Sequence, residues 1–86
     1  MGGGFLTQQL TVYTRRGCHL CTDMMQALER LRLELAFDIT TVDIDADPEL
    51  RRLYDTRVPV LAVAGVEICY YFLEEQLLRE HLRAHG

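Results

Sequence analysis

The sequence predicts an α/β domain in which a mixed four-stranded sheet carries helices on both faces, in the order β-α-β-α-β-β-α. Three observations carry that expectation. Two long segments place apolar residues at helical spacing, one after Cys18 and one after Leu73. Four short runs rich in β-formers flank them. The first strand–helix–strand connection calls for parallel strands with a right-handed crossover, whereas Ala64-Gly65 has room only for an antiparallel hairpin.

Gln9 to Thr14 alternates polar and apolar residues with Leu10 and Val12 on one face, the signature of a half-buried first strand. A turn over Thr14-Arg15-Arg16-Gly17 follows, where Gly17 tolerates backbone angles that a Cβ would resist. From Cys18 to about Leu35, Cys21, Met24, Met25, Leu28, Leu31 and Leu35 recur at helical spacing, so a helix with one apolar face is expected. Phe37 to Asp45 reads as the second strand, rich in Ile, Val and Thr. Asp47 as N-cap and Pro48 at the first helical position then open a short helix to about Tyr54, with Leu50 and Leu53 inward. Val58 to Val63 forms a buried third strand and Val66 to Tyr71 a fourth. A last helix from about Leu73 to Arg83 turns Leu77, Leu78 and Leu82 inward, with acidic residues in its first turn and Arg83 in its last, as the helix dipole favours. Residues 1–8 read as a flexible glycine-bearing tail, and 9–86 as the domain.

Composition narrows the chemistry. The 86-residue chain is 49% hydrophobic and 26% charged, the balance of a small globular domain and not of a disordered segment. A net charge of −4 disfavours nucleic acid, whose phosphates need a basic surface. No apolar run reaches membrane-spanning length, and no signal-like segment opens the chain. Lys and Ser are both absent, which removes the phosphate-binding lysine loop, the Schiff-base amine and the serine nucleophile. Thiols remain the outstanding nucleophiles. Three cysteines make an odd count that speaks against a purely disulfide-built scaffold, and with no signal-like segment a reducing cytoplasm is expected. A monomer is expected as well.

The most telling pattern is Cys18-His19-Leu20-Cys21 at the junction of the first strand and the first helix. A helix N-terminus offers unpaired N–H groups and partial positive charge, both of which stabilise a thiolate on Cys18. A free cysteine is only about 3% thiolate at pH 7, so such stabilisation matters for attack, and more so when Cys18 leaves. His19, and also Arg15 and Arg16, stand where they would add positive charge, or else are solvated side chains. Asp43-x-Asp45-x-Asp47 is spaced like a calcium loop, yet Pro48 occupies the glycine position and Tyr54 that of the bidentate acid, so strand-end and capping roles are expected.

This arrangement, with Val58-Pro59 opening the third strand, resembles the thioredoxin fold. The segments Thr11 to Cys21 and Asp43-Ile-Asp-Ala-Asp47 resemble the glutaredoxin-like branch of small bacterial proteins, over roughly Leu10 to Leu82. The resemblance implies a thiol–disulfide oxidoreductase. Cys18 would attack a protein or low-molecular-weight disulfide and Cys21 would resolve the mixed disulfide. It also implies a cis peptide before Pro59 that presents the Val58 backbone to substrate, with Arg16, His19 and Tyr70 as further substrate contacts and glutathione as a possible reductant. The chain departs from the glutaredoxin pattern where Cys69 and Tyr70 replace a Gly-Gly pair, Leu73 replaces an acid and Arg57 replaces a common Thr. Cys69 reads either as a small buried hydrophobe or as a third redox thiol. Two other function classes stay open: a non-catalytic adaptor that keeps the fold, and a zinc or iron–sulfur module, for which one close-spaced Cys pair falls short of four ligands.

Overall fold

The computed structural model of the chain describes residues 8–85. The expected tail thus lies outside the described residues except for Gln8, which already belongs to the first strand. β1 (Gln8–Thr14) pairs in parallel with β2 (Phe37–Asp43), as a crossover through α1 (His19–Leu31) demands. β3 (Val60–Val63) lies antiparallel on the other side of β1, and β4 (Val66–Tyr70) antiparallel to β3, which sets the order β2-β1-β3-β4. The β3–β4 hairpin turns on Ala64 and Gly65, both at positive φ (52° and 83°), as a two-residue turn matched to strand twist requires.

The period-two alternation of β1 sorts the layers. Leu10 and Val12 point into the main core with Met24, Leu28 and Leu31 of α1, Leu61 and Val63 of β3 and Leu78 of α3 (Glu75–His85). Burial of one such leucine stabilises the fold by about 1.5–3 kcal/mol. Tyr13 turns to the opposite face, where its ring stacks on Tyr54 of α2 (Pro48–Tyr54) at 4.5 Å between centroids. β3 is buried on both faces, which explains its unbroken apolar run.

Several boundaries differ from the periodicity. α1 ends at Leu31, not near Leu35, because the Leu33 and Glu34 amides bond three residues back, to Arg30 and Leu31, and close a tighter last turn. Leu33 is therefore 91% exposed while Leu35 still packs on the core. β2 stops at Asp43, since Ile44–Ala46 wind into a 3₁₀ turn that sends Ile44 into the interior. β3 starts at Val60, two residues after Val58, and β4 ends at Tyr70. α3 spans Glu75–His85, where Leu73 to Arg83 was expected. Leu53 and Leu77 were expected inward but are about half exposed (46% and 49%), because α2 buries none of its residues and α3 presents Leu78 to the core instead.

Candidate functional site

β1 delivers the chain to the turn at Arg15–Gly17, where Gly17 takes φ 76°. Cys18 then adopts the extended angles of an N-cap (φ −89°, ψ 109°), and its Sγ accepts the Cys21 N–H at 3.1 Å. A sulfur thus takes the place usually held by a Ser, Thr, Asp or Asn oxygen, satisfying one of the orphan donors of the first turn. The Cys18 carbonyl accepts from the Thr22 amide and Thr22 hydroxyl. Because residues three apart share a helix face, the two sulfurs meet: Cys18 and Cys21 form a disulfide with Cα atoms 5.2 Å apart. Cys18 is partly exposed; Cys21 is 5% exposed and faces the interior.

The positive charge expected of Arg15 is already spent. Its guanidinium bonds Asp45 at 2.8 Å, Asp55 at 2.7 Å and the Asp55 carbonyl. That pairing keeps Arg15 charged and holds the Asp45 carboxyl below the usual carboxylate range. The acidic run is likewise explained residue by residue. Asp43 accepts from the Asp45 amide, Asp47 caps α2 through the Glu49 amide, and Asp45 serves Arg15. Among the described residues no three His, Cys, Asp or Glu side chains converge as a metal-binding group. Arg16 and His19 are both exposed, and of the two only His19 lines the groove beside Cys18.

The remaining expected contacts lie at the same end of the sheet. Tyr13 pairs with Val60, so one further step along the register brings Pro59 beside Thr14, the last residue of β1. The Val58–Pro59 peptide is cis, Pro59 is buried, and its carbonyl accepts the Tyr71 amide at 2.9 Å. Tyr70 is half exposed, packs edge-on against Tyr71, and lies 5.8 Å from the Arg57 guanidinium. Arg57 also sits over Tyr54 at 5.3 Å and pairs with Glu67 at 2.9 Å, a cluster that sequence reading missed because its members are spread over α2, β3's approach and β4. Cys69, the preceding residue of β4, is buried. Its Sγ accepts the Glu74 amide at 3.5 Å, and burial pushes the thiol pKa up.

The sulfurs open onto a groove of about 970 Å³ between α1 and the edge strand β2, lined by none of Val58, Pro59 and Tyr70. Thr22, Met25, Gln26, Arg30 and Thr41 line it beyond the cysteines. The signal for this wall is present in the sequence as the i, i+4 ridge Cys18–Thr22–Gln26–Arg30. A separate, smaller groove of about 390 Å³ lies by Tyr70, Phe72 and Leu77.

A family model described as a glutaredoxin-like domain (DUF836) matches residues 9–83. An uncharacterised protein of Mycobacterium tuberculosis (strain H37Rv) is 36% identical over 76 residues, covering 83% of this chain and 78% of its own length. Among solved structures, protein Ne2328 from Nitrosomonas europaea superposes with a TM-score of 0.83 at 36% identity, over 94% of this chain and 98% of that one. A protein of X. campestris superposes with a TM-score of 0.71 at 38% identity, over 87% and 96%. Thioredoxin 1 from Thermosipho africanus, 15% identical with a TM-score of 0.59 over 90% and 97%, shares the fold. No helix among the described residues is long and apolar enough to cross a membrane.

Proposed function

The chain belongs to the glutaredoxin-like domain family of the thioredoxin fold, and from that membership we propose that it is a thiol–disulfide oxidoreductase. The observation that carries the reading is the disulfide between a partly exposed N-cap cysteine and a buried one in the first turn of α1. In the reduced protein the Cys18 thiolate attacks a substrate disulfide, forms a mixed disulfide and expels one substrate thiolate. Cys21 then attacks the Cys18 sulfur, the second substrate thiol leaves, and the protein ends as the Cys18–Cys21 disulfide. Two electrons pass to the substrate, and an external thiol must return them. The same N–H that bonds Cys18 Sγ supports the thiolate as attacker and as leaving group.

The substrate is a protein or low-molecular-weight disulfide, met by a monomer in a reducing cytoplasm. The Val58 backbone, Pro59, His19, Arg16 and Tyr70 are its proposed contacts. Glutathione as donor has to contend with Cys69, Tyr70 and Leu73, which stand where the family pattern holds a γ-glutamyl group. The deciding experiment measures reduction of insulin and of (2-hydroxyethyl) disulfide. Wild type should turn over both with dithiothreitol as donor, Cys18→Ser neither, and reduced Cys21→Ser, freed of dithiothreitol, should accumulate a mixed disulfide through Cys18. Unaltered turnover by Cys18→Ser overturns the mechanism, and a folded but inert wild type points to the adaptor.

A further inference from the structure

We propose that the α1–β2 groove seats an extended polypeptide segment whose cysteine reacts at Cys18 and whose Asp or Glu, about five residues away, pairs with Arg30. The inference rests on the redox reading above and names the substrate class that reading leaves open. Four observations carry it. The groove starts at the reactive sulfurs and is walled by one α1 ridge, Cys18–Thr22–Gln26–Arg30. Thr41 of β2, paired with Val12, lies on the α1 face of the sheet and supplies the opposite wall on an edge strand. Arg30 is exposed in the last turn of α1 and forms no ion pair among the described residues, whereas the neighbouring Arg32 is held by Glu29 and Asp38. Glu29, the acid on the same groove, has its carboxylate engaged by Arg32.

The spacing selects the length of the guest. From Cys18 to Arg30 the helix rises about 18 Å at 1.5 Å per residue. An extended chain advances about 3.3–3.6 Å per residue, so about five residues bridge the two ends, and a tripeptide thiol stops short. Charge selects its chemistry. The protein as a whole carries −4 and repels acidic partners at long range, so an acidic residue of a segment lying along this groove gains at its far end, at the Arg30 cation. Recognition is therefore local and register-dependent.

The test uses the full-length reduced protein and synthetic peptides whose single cysteine is capped as a mixed disulfide with thionitrobenzoate, with Asp, Asn or Lys placed five residues to either side. Cys18 attack releases coloured thionitrobenzoate, and Cys21 then releases the peptide thiol. The readout is the rate ratio between peptides for each protein. Wild type should prefer Asp over Asn by about threefold in one of the two directions, Arg30→Ala should show a ratio near one, and Arg30→Glu should favour Lys over Asp by about tenfold. Equal rates for the Asp and Asn peptides in wild type that still reduces (2-hydroxyethyl) disulfide overturn the docking and leave the redox reading intact. If neither disulfide is reduced, the redox reading falls. Amide-shift mapping with an inert Ser-for-Cys peptide then decides the groove: shifts at Thr22, Gln26, Arg30 and Thr41 support it, and their absence refutes it.

Discussion

Replacing Cys18 by Ser or by Ala separates two roles that the sulfur combines. Both substitutions abolish the disulfide and the attacking thiol, so both should be inactive. They differ in one bond: a Ser Oγ still accepts the Cys21 N–H that Cys18 Sγ accepts at 3.1 Å, and Ala leaves that amide without its partner. An N-cap oxygen exchanged for Ala costs about 1 kcal/mol, within a range of about 0.5–2. For a domain of 86 residues that corresponds to about 4–8 °C in Tm. The assay is thermal and urea unfolding of the two variants under identical reducing buffer, with the urea slope checked for constancy so that the midpoint difference reports stability alone. Cys18→Ser should be the more stable. Equal stability would show that the cap contributes nothing, and the argument that the same N–H supports a Cys18 thiolate would fall with it.

Three further outcomes follow from the packing. Leu78→Ala should lose about 2–5 kcal/mol, because the side chain is fully buried, while its half-exposed neighbour Leu77→Ala should stay within about 0.5 kcal/mol of wild type in urea unfolding. Gly17→Ala should cost about 1–2 kcal/mol through the positive φ alone, since a Cβ there meets nothing within 4 Å; unfolding measurements on oxidised protein check this. With the disulfide kept oxidised, Cys69 should add a pH slope. Burial raises its folded pKa, so its contribution is complete below the ordinary thiol range and is lost as pH rises through the folded value, by at most about 1.4 kcal/mol per unit. Subtracting the profile of Cys69→Ala should isolate that slope, and identical profiles would contradict it.

The parts of the fold that sequence reading reached were those where one pattern dominates. Cys21, Met24, Leu28 and Leu31 mark a single face of α1, and the same four are buried. Asp47-Pro48 starts α2 at the expected residue, because capping is a local interaction. Readings failed where tertiary context competes with local preference. Leu53 looks like an inward residue on α2, but that helix is held by Tyr54, Asp55 and the acidic turn before it, so its leucine stays outside. For Arg15 the sequence leaves a thiolate partner and a solvated side chain both open; two carboxylates 30 and 40 residues away claim it instead. The cysteine pair itself was legible from spacing and context. The α1–β2 groove was not, because a polar ridge on a helix reads as solvent-facing until a strand edge is placed beside it.

That Arg15 fork has a bearing on how the molecule breathes. α2 contributes no fully buried side chain: half-buried Leu50 and Tyr54, the latter stacked on Tyr13, face inward, and the segments flanking the helix are tied to Arg15 by exposed ion pairs at Asp45 and Asp55. Such an attachment weakens as ionic strength rises, whereas the leucine-filled layer beneath α1 and α3 does not. Amide protons of α2 after Pro48 should therefore exchange with solvent earlier than those of α1, by opening events smaller than global unfolding. The turn that aims Cys18 shares its Arg15 anchor with the ends of this helix, so the presentation of the sulfur should respond to added salt while the leucine layer under it does not.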